Sequence, residues 1–281
     1  MLSVSDHRRD LLGLKYIYPV FSRRAGGLSI GINLNTNNAC NWRCIYCQVP
    51  GLQRGSAPDV DFDLLAIELK RVLAEILHGD FYSQYEIPAS ARNIQDIAIA
   101  GNGEPTSCRK FDQVVELIGN IAAETGLLNK VKIVLITNGS LIQHTAISNG
   151  VKQLSKLNGE VWFKLDSATN AGLRMINNAG ISINRVANNL KHTAKLCPTW
   201  IQTCVFALDG KPPADEEQTA YIQFISSLVE SRIPLRGILL YGIARPSNQP
   251  EASRLSRLPL TWLEDYAAQI RKTGIVVKTN I

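Results

Sequence analysis

The chain predicts an α/β fold: a parallel sheet of six or seven strands, covered by helices on its outer face and curled into a partial (β/α)6-type barrel. The first observation behind this is periodicity. Apolar residues switch repeatedly between a spacing of two and a spacing of three to four, as strands and helices alternate. The second is the number of βα units, which falls short of the eight that close a full barrel. The third is chemical. Four motifs rich in Cys, Gly, Asn and charged side chains directly follow strands, and in folds of this type the functional loops lie at the carboxyl ends of the strands.

Leu28–Leu34 alternates as the first strand and leads into a cysteine loop. From Asp61 to His78 the spacing turns helical, with Leu65, Leu69, Val72, Leu73 and Ile76 on one stripe, Asp61 or Asp63 as cap and Gly79 closing the helix. Ile94–Ala100 is the second strand and ends in the turn Gly101-Asn102-Gly103-Glu104-Pro105-Thr106. A helix over 111–124 precedes the third strand, Val131–Ile136, which ends in Thr137-Asn138-Gly139. A helix near 144–157 is followed by the fourth strand, Glu160–Asp166, and a helix around 183–195. The fifth strand is Ile201–Leu208, with a helix near 216–231, and the sixth is Arg236–Tyr241. A helix near 261–272 and a short strand at Ile275–Lys278 end the chain.

The 281 residues are 45% hydrophobic, enough for one domain over 1–281, with a core at about 18–247 and a helix and strand at about 260–281. No apolar run of about 18 residues occurs, so no membrane span is expected. No cleavable apolar leader opens the chain, and a reducing, cytoplasmic setting is expected. The net charge of +6 attracts anionic partners, but the basic residues stand in pairs such as Arg8-Arg9, Arg23-Arg24 and Arg271-Lys272. That pattern reads more naturally as a solvated basic surface than as a nucleic-acid footprint, which stays open.

Cys40, Cys44 and Cys47 form a C-x3-C-x2-C triplet with the aromatic Tyr46 between the last two cysteines. Three thiolates in eight residues can wrap one face of a metal cluster, one ligand short of a closed site. The open position is where a substrate or cofactor can bind. A zinc site completed by His7, His78, His144 or His192 is the alternative, although none of these lies at close ligand spacing. Cys108, Cys197 and Cys204 lack metal spacing and read as core residues, Cys108 being the best candidate among them for a functional thiol.

The triplet with Tyr46 resembles the signature of the radical S-adenosylmethionine (SAM) superfamily. The resemblance implies a [4Fe-4S] cluster held by Cys40, Cys44 and Cys47, with the amino and carboxylate groups of SAM on the fourth iron. Gly101-Asn102-Gly103-Glu104-Pro105 resembles that superfamily's Gly-Gly-Glu-Pro turn, with Asn in place of one glycine, and implies that Asn102, Gly103 and Glu104 receive the SAM amino group. Taken alone, the same residues make an ordinary glycine turn. Asn138 could face ribose or carboxylate, or simply form an Asn-Gly turn. Lys164 and Asp166 alternate with Leu165 and therefore share a face, pointing into the barrel. Asp166 is a candidate for the SAM ribose and Lys164 for its carboxylate or for a substrate; a salt bridge at the strand end is the alternative.

The run Val20-Phe-Ser-Arg-Arg-Ala-Gly-Gly-Leu-Ser-Ile-Gly-Ile-Asn-Leu34, with Val161–Ser167 and Ala244-Arg245-Pro246, is similar to a radical SAM group related to the wyosine-forming tRNA enzymes. Those enzymes carry further cysteines upstream for a second cluster, whereas residues 1–39 contain none, so wyosine synthesis is not carried over. The resemblance implies reductive cleavage of SAM to a 5′-deoxyadenosyl radical that takes hydrogen from a small-molecule substrate, with a low-potential electron donor of flavodoxin or ferredoxin type. Arg23, Arg24 and Arg245 are candidates to hold an anionic substrate. Modification of tRNA, glycyl-radical activation of a partner protein and a non-catalytic metal-binding module are the competing readings.

Overall fold

The computed structural model describes residues 12–22 and 27–280. Eight strands form the main sheet: β1 (Ile17–Ser22), β2 (Gly27–Ile32), β3 (Ile94–Ile99), β4 (Lys132–Thr137), β5 (Gly159–Lys164), β6 (Thr199–Val205), β7 (Leu235–Gly242) and β8 (Val277–Asn280). They lie side by side in chain order, β1 antiparallel to β2 and every later pair parallel. A strand that always pairs with its predecessor through a helical crossover curls into a barrel. Here the order runs from β1 to β8 without closing, which makes the partial barrel. The helices α1 (Phe62–His78), α2 (Phe81–Gln84), α3 (Phe111–Glu124), α4 (Thr145–Ser155), α5 (Asn170–Asn177), α6 (Ile183–Leu196), α7 (Asp215–Glu230) and α8 (Leu260–Arg271) connect the strands.

The expected elements are present to within about two residues at most ends. Asp61 caps α1, its side chain accepting from the Leu64 N–H at 3.0 Å, and the predicted stripe Leu65, Leu69, Val72, Leu73 and Ile76 is buried. Each such aliphatic side chain contributes about 1.5–3 kcal/mol by leaving water. Gly79 ends the helix in an extended conformation rather than a left-handed one. The fifth strand stops at Val205, and Ala207–Leu208 instead pairs with Leu255–Ser256.

Three labelled elements have no counterpart in the sequence reading, the four-residue α2 among them. α5 is a two-turn helix with three asparagines nearby and a left-handed cap at Asn178, too short and too polar to show a clear stripe. β1 precedes the first expected strand, and a buried acid holds it. Glu68 of α1 is 5% exposed and accepts from the backbone N–H groups of Lys15 and Tyr16, both at 2.8 Å, and of Ile17 at 3.4 Å. A charged acceptor bonded to three amides anchors the edge of the sheet to α1. Glu68→Ala leaves those amides without a partner, and we expect a loss of about 3 kcal/mol in unfolding free energy, read as a lower urea midpoint at unchanged slope.

Candidate active site

The loops after β2, β3, β4 and β7 and the ends of β5 and β6 surround a cavity of about 280 Å³. Its wall includes Cys40, Cys44, Cys47, Tyr46, Gly101, Gly103, Glu104, Asn138, Lys164, Gln202, Tyr241 and Arg245. All three cysteines of the triplet therefore share one cavity with parts of the Gly101–Glu104 turn, the Asn138 turn, the Lys164 strand end and the Ala244-Arg245-Pro246 segment.

An asparagine scaffold shapes the cysteine loop. Asn33 Oδ1 accepts from the N–H of Asn35 (3.2 Å) and of Asn102 (2.9 Å), and Asn35 Nδ2 donates to the Ala39 carbonyl (2.9 Å). Asn102 Nδ2 donates to Asn38 Oδ1 at 2.6 Å, and Asn138 Nδ2 to Asn41 Oδ1 at 2.9 Å. Five asparagines in residues 33–41 were the sequence signal for this, since Asn both donates and accepts along irregular backbone. On its far side the loop rests on residues 247–249. The Ser247 hydroxyl donates to the Ile45 carbonyl at 2.7 Å, and the Asn248 N–H donates to the Cys47 carbonyl at 2.9 Å. The end of α5 holds the middle, with the Ile45 N–H on the Ile176 carbonyl at 2.8 Å. Arg43 makes a two-pronged pair with Glu251, both contacts at 2.8 Å.

The glycines of the turn after β3 serve the loop. A Cβ on Gly103 would lie 1.9 Å from the Ala39 carbonyl oxygen, and one on Gly101 would lie 2.2 Å from Asn33 Oδ1. The sequence suggests close approach to a ligand; the structure shows close approach to the cysteine loop itself. Asn102 is correspondingly turned to Asn33 and Asn38 and is not part of the cavity wall.

Glu104 is 3% exposed, and its carboxylate is fully engaged. Oε1 accepts from the Thr106 N–H (3.1 Å) and from the hydroxyls of Thr106 (2.6 Å) and Thr137 (2.5 Å), and Oε2 accepts from the Asn138 N–H (2.7 Å). Burial raises its carboxyl above the usual range, while these four donors pull the other way. The side chain expected to meet an ammonium lies in the cavity wall and also ties the turn after β3 to the one after β4.

Asp166 stands behind the cavity wall. It is 8% exposed and outside the cavity wall, accepting from the Tyr46 hydroxyl at 2.5 Å, Asn177 Nδ2 at 2.7 Å and the Cys204 N–H at 2.9 Å. Its lone pairs go to three elements of the protein. Lys164 does line the cavity. Its Nζ donates to the Tyr241 hydroxyl at 3.3 Å and lies 5.1 Å from the Tyr46 ring centroid. No salt bridge joins Lys164 and Asp166 among the described residues. Burial opposes its charge, but Tyr241, Asp166 and the sulfurs of Cys44 and Cys204 outweigh burial, and the net shift is upward.

The thiols fit a cluster ligand set. Burial pushes both Cys40 and Cys44 up to about 12 as free thiols, so a metal that binds there displaces their protons. Donors are in place for the sulfur charge, the Trp42 N–H to Cys40 Sγ at 3.4 Å and Asn177 Nδ2 to Cys44 Sγ at 3.2 Å. Among the described residues no three His, Cys, Asp or Glu side chains group as a site for a single ion, and no histidine is in the cavity wall. A cluster, which spreads its ligand sulfurs around a larger body, suits three thiols along one wall better than a zinc ion does.

Of the remaining candidates, Arg245 lines the cavity, whereas Arg23, Arg24 and His7 lie outside the described residues. Cys108 and Cys197 are buried in the main core as expected. Cys204, also buried, reaches the cavity wall, as do Gln202 and Tyr241, which the sequence did not single out. Strand-end polarity was their signal, since Gln202 and Cys204 alternate on β6.

The radical SAM superfamily family model matches residues 34–220, more than half of the chain. The chain belongs to the radical SAM superfamily, whose members use a [4Fe-4S] cluster and SAM. Among solved structures, TYW1 with a lysine-pyruvate adduct bound is similar at TM-score 0.58 and 14% identity, over 87% of this chain and 73% of that one. A radical SAM methyltransferase from Sphaerobacter thermophilus gives 0.58 and 12%, over 96% and 70%. SuiB from Streptococcus suis, bound to SAM, gives 0.53 and 13%, over 92% and 48%. These likenesses are of fold. A curated protein named GTPase Obg from Brachyspira hyodysenteriae is 24% identical over 242 residues, which are 84% of this chain and 31% of that protein. The chain thus spans about a third of that relative, and it has no G-x4-G-K-[ST] phosphate loop.

No helix among the described residues is long and apolar enough to cross a membrane. The Glu104 clamp is open to test. Glu104→Ala strands two buried N–H donors and two hydroxyls, and we expect unfolding free energy to fall by about 3 kcal/mol. Glu104→Gln, which keeps an acceptor oxygen, should lose about half as much, and equal urea midpoints for both variants and wild type would refute the assignment.

Proposed function

We propose that this chain is a radical SAM enzyme that holds the cluster through Cys40, Cys44 and Cys47 and acts on a small molecule in the cavity. The supporting observation is that all three thiols, Tyr46, the Gly101–Glu104 turn, Asn138 and Lys164 line one cavity at the carboxyl ends of the strands. Held by these thiols, the cluster would supply the electron for reductive cleavage of SAM to methionine and a 5′-deoxyadenosyl radical able to take hydrogen from the substrate.

In this reading each residue positions or shields. The thiols would supply three ligands, one fewer than an ordinary four-cysteine cluster has. Cavity-facing backbone of Gly101 and Gly103 offers carbonyls to the SAM amino group, with Glu104 fixing the turn. Asn138 turns its amide toward Asn41 and Ser140 and sets the adjoining wall. Asp166 acts through Tyr46, whose hydroxyl it holds, so the ring stays packed 5.7 Å from Phe206. Lys164 and Arg245 give the cavity positive charge. A low-potential donor of flavodoxin or ferredoxin type would supply the electron.

The test is anaerobic reconstitution with iron and sulfide, followed by reduction in the presence of SAM. We expect SAM-dependent 5′-deoxyadenosine and methionine, and loss of both, together with bound iron, in Cys40→Ala, Cys44→Ala and Cys47→Ala. Absence of both products from the wild-type chain, with unchanged metal content in Cys40→Ala, would sink the proposal.

A further inference from the structure

Gln202 is the most exceptional polar residue of the cavity. It is 1% exposed and lines the wall, yet neither its Nε2 nor its Oε1 has a hydrogen-bond partner among the described residues. Leaving both amide atoms dry costs about 1–3 kcal/mol each, so a folded chain keeps such a group where a ligand satisfies it. Asn35 and Asn177 each strand one buried oxygen, but both use their nitrogens within the protein, and neither lines the cavity.

The neighbour of Gln202 defines what that ligand carries. Gln202 on β6 stands opposite Lys164 on β5, and paired residues on adjacent strands present their side chains to the same face. Lys164 makes a single hydrogen bond, to Tyr241, and no ion pair among the described residues. Asp166 offsets the Lys164 charge from behind the wall without an ion pair, and the ammonium, bonded once to Tyr241, keeps N–H donors that a carboxylate entering the cavity would fill. Beside it, the carboxamide offers a donor next to an acceptor, and its complement is an acceptor next to a donor.

We propose that Gln202 and Lys164 form a substrate-recognition pair selecting a small molecule that bears a carboxylate beside an amide-type edge. This rests on the reading of the cavity as a radical SAM active site. The cavity volume of about 280 Å³, just below the usual ligand-pocket range, favours a small substrate. The carboxylate meets Lys164, while the substrate's C=O and N–H close a paired hydrogen bond with the Gln202 amide.

Titration calorimetry on the reconstituted full chain tests this, under anaerobic conditions and both with and without SAM. The probes are oxamate, which has a carboxylate beside an amide, acetate, which has only the charge, and acetamide, which has only the edge. We expect oxamate to bind at least about tenfold more tightly than either control, the scale of one well-made buried hydrogen bond. Gln202→Met should weaken oxamate by about tenfold and leave SAM binding unchanged. Gln202→Glu, which gives Lys164 an internal carboxylate, should abolish oxamate binding. Oxamate no tighter than acetate or acetamide on the wild-type chain overturns the proposal without any variant, and so does a Gln202→Met protein that loses SAM as much as oxamate. A wild-type chain that binds oxamate but not SAM would instead refute the active-site reading and leave the recognition pair standing.

Discussion

The Asp166 carboxylate is the interaction on which the site's geometry depends. One buried side chain, just past the end of β5, accepts from the Tyr46 hydroxyl of the cysteine loop, the Asn177 amide of α5 and the Cys204 N–H of β6. In a medium of low dielectric, hydrogen bonds to an ionised acceptor are strong and directional. They therefore fix the relative positions of a loop, a helix end and a strand better than apolar contact can. Asn177 extends the arrangement, since the same Nδ2 that reaches Asp166 also reaches Cys44 Sγ. The geometry of a candidate metal ligand is thus set from behind by a carboxylate that never meets the cavity.

Glu104 repeats the device on the other side. Its two oxygens draw the turns after β3 and β4 together, and Gly103 lets that assembly lie against the Ala39 carbonyl. Irregular loops are costly to order, and a metal loop must be ordered before its ligands can converge. Two buried carboxylates, a run of asparagines and the segment 247–249 supply that order from four directions. The barrel strands beneath are largely apolar, with a few buried polar pairs such as Ser29–Asp96 and Thr203–Tyr221, and the bonds that order the cysteine loop come from their carboxyl ends.

This arrangement separates two kinds of polar residue in one small region. Glu104, Asp166, Asn102 and Asn138 spend most of their hydrogen-bonding capacity on the protein and hold shape. Lys164 and Gln202 are adjacent across β5 and β6 and keep capacity in reserve. Satisfied groups build a rigid wall, and unsatisfied ones within it are poised for a ligand. That division fits a site in which reactive chemistry must be kept from water.

The sequence by itself determined the strand and helix order, because period-two and helical apolar patterns are local and α1 buries the very stripe that its spacing shows. It determined the family as well, since three cysteines with Tyr46 are a contiguous motif that needs no fold to be recognised. It missed the single-turn α2, and it missed β1 and α5, whose positions are set by Glu68 and by contacts with the cysteine loop, partners far away in the chain. It offered Glu104 and Asp166 as candidates for a ligand, and a carboxylate looks alike in sequence whether its lone pairs are spent or free. Only the tertiary structure decided which polar groups are consumed by neighbours 30 to 120 residues away and which, like Gln202, are left facing the cavity. Hydrogen bonds saturate, and their saturation depends on where distant segments come to rest.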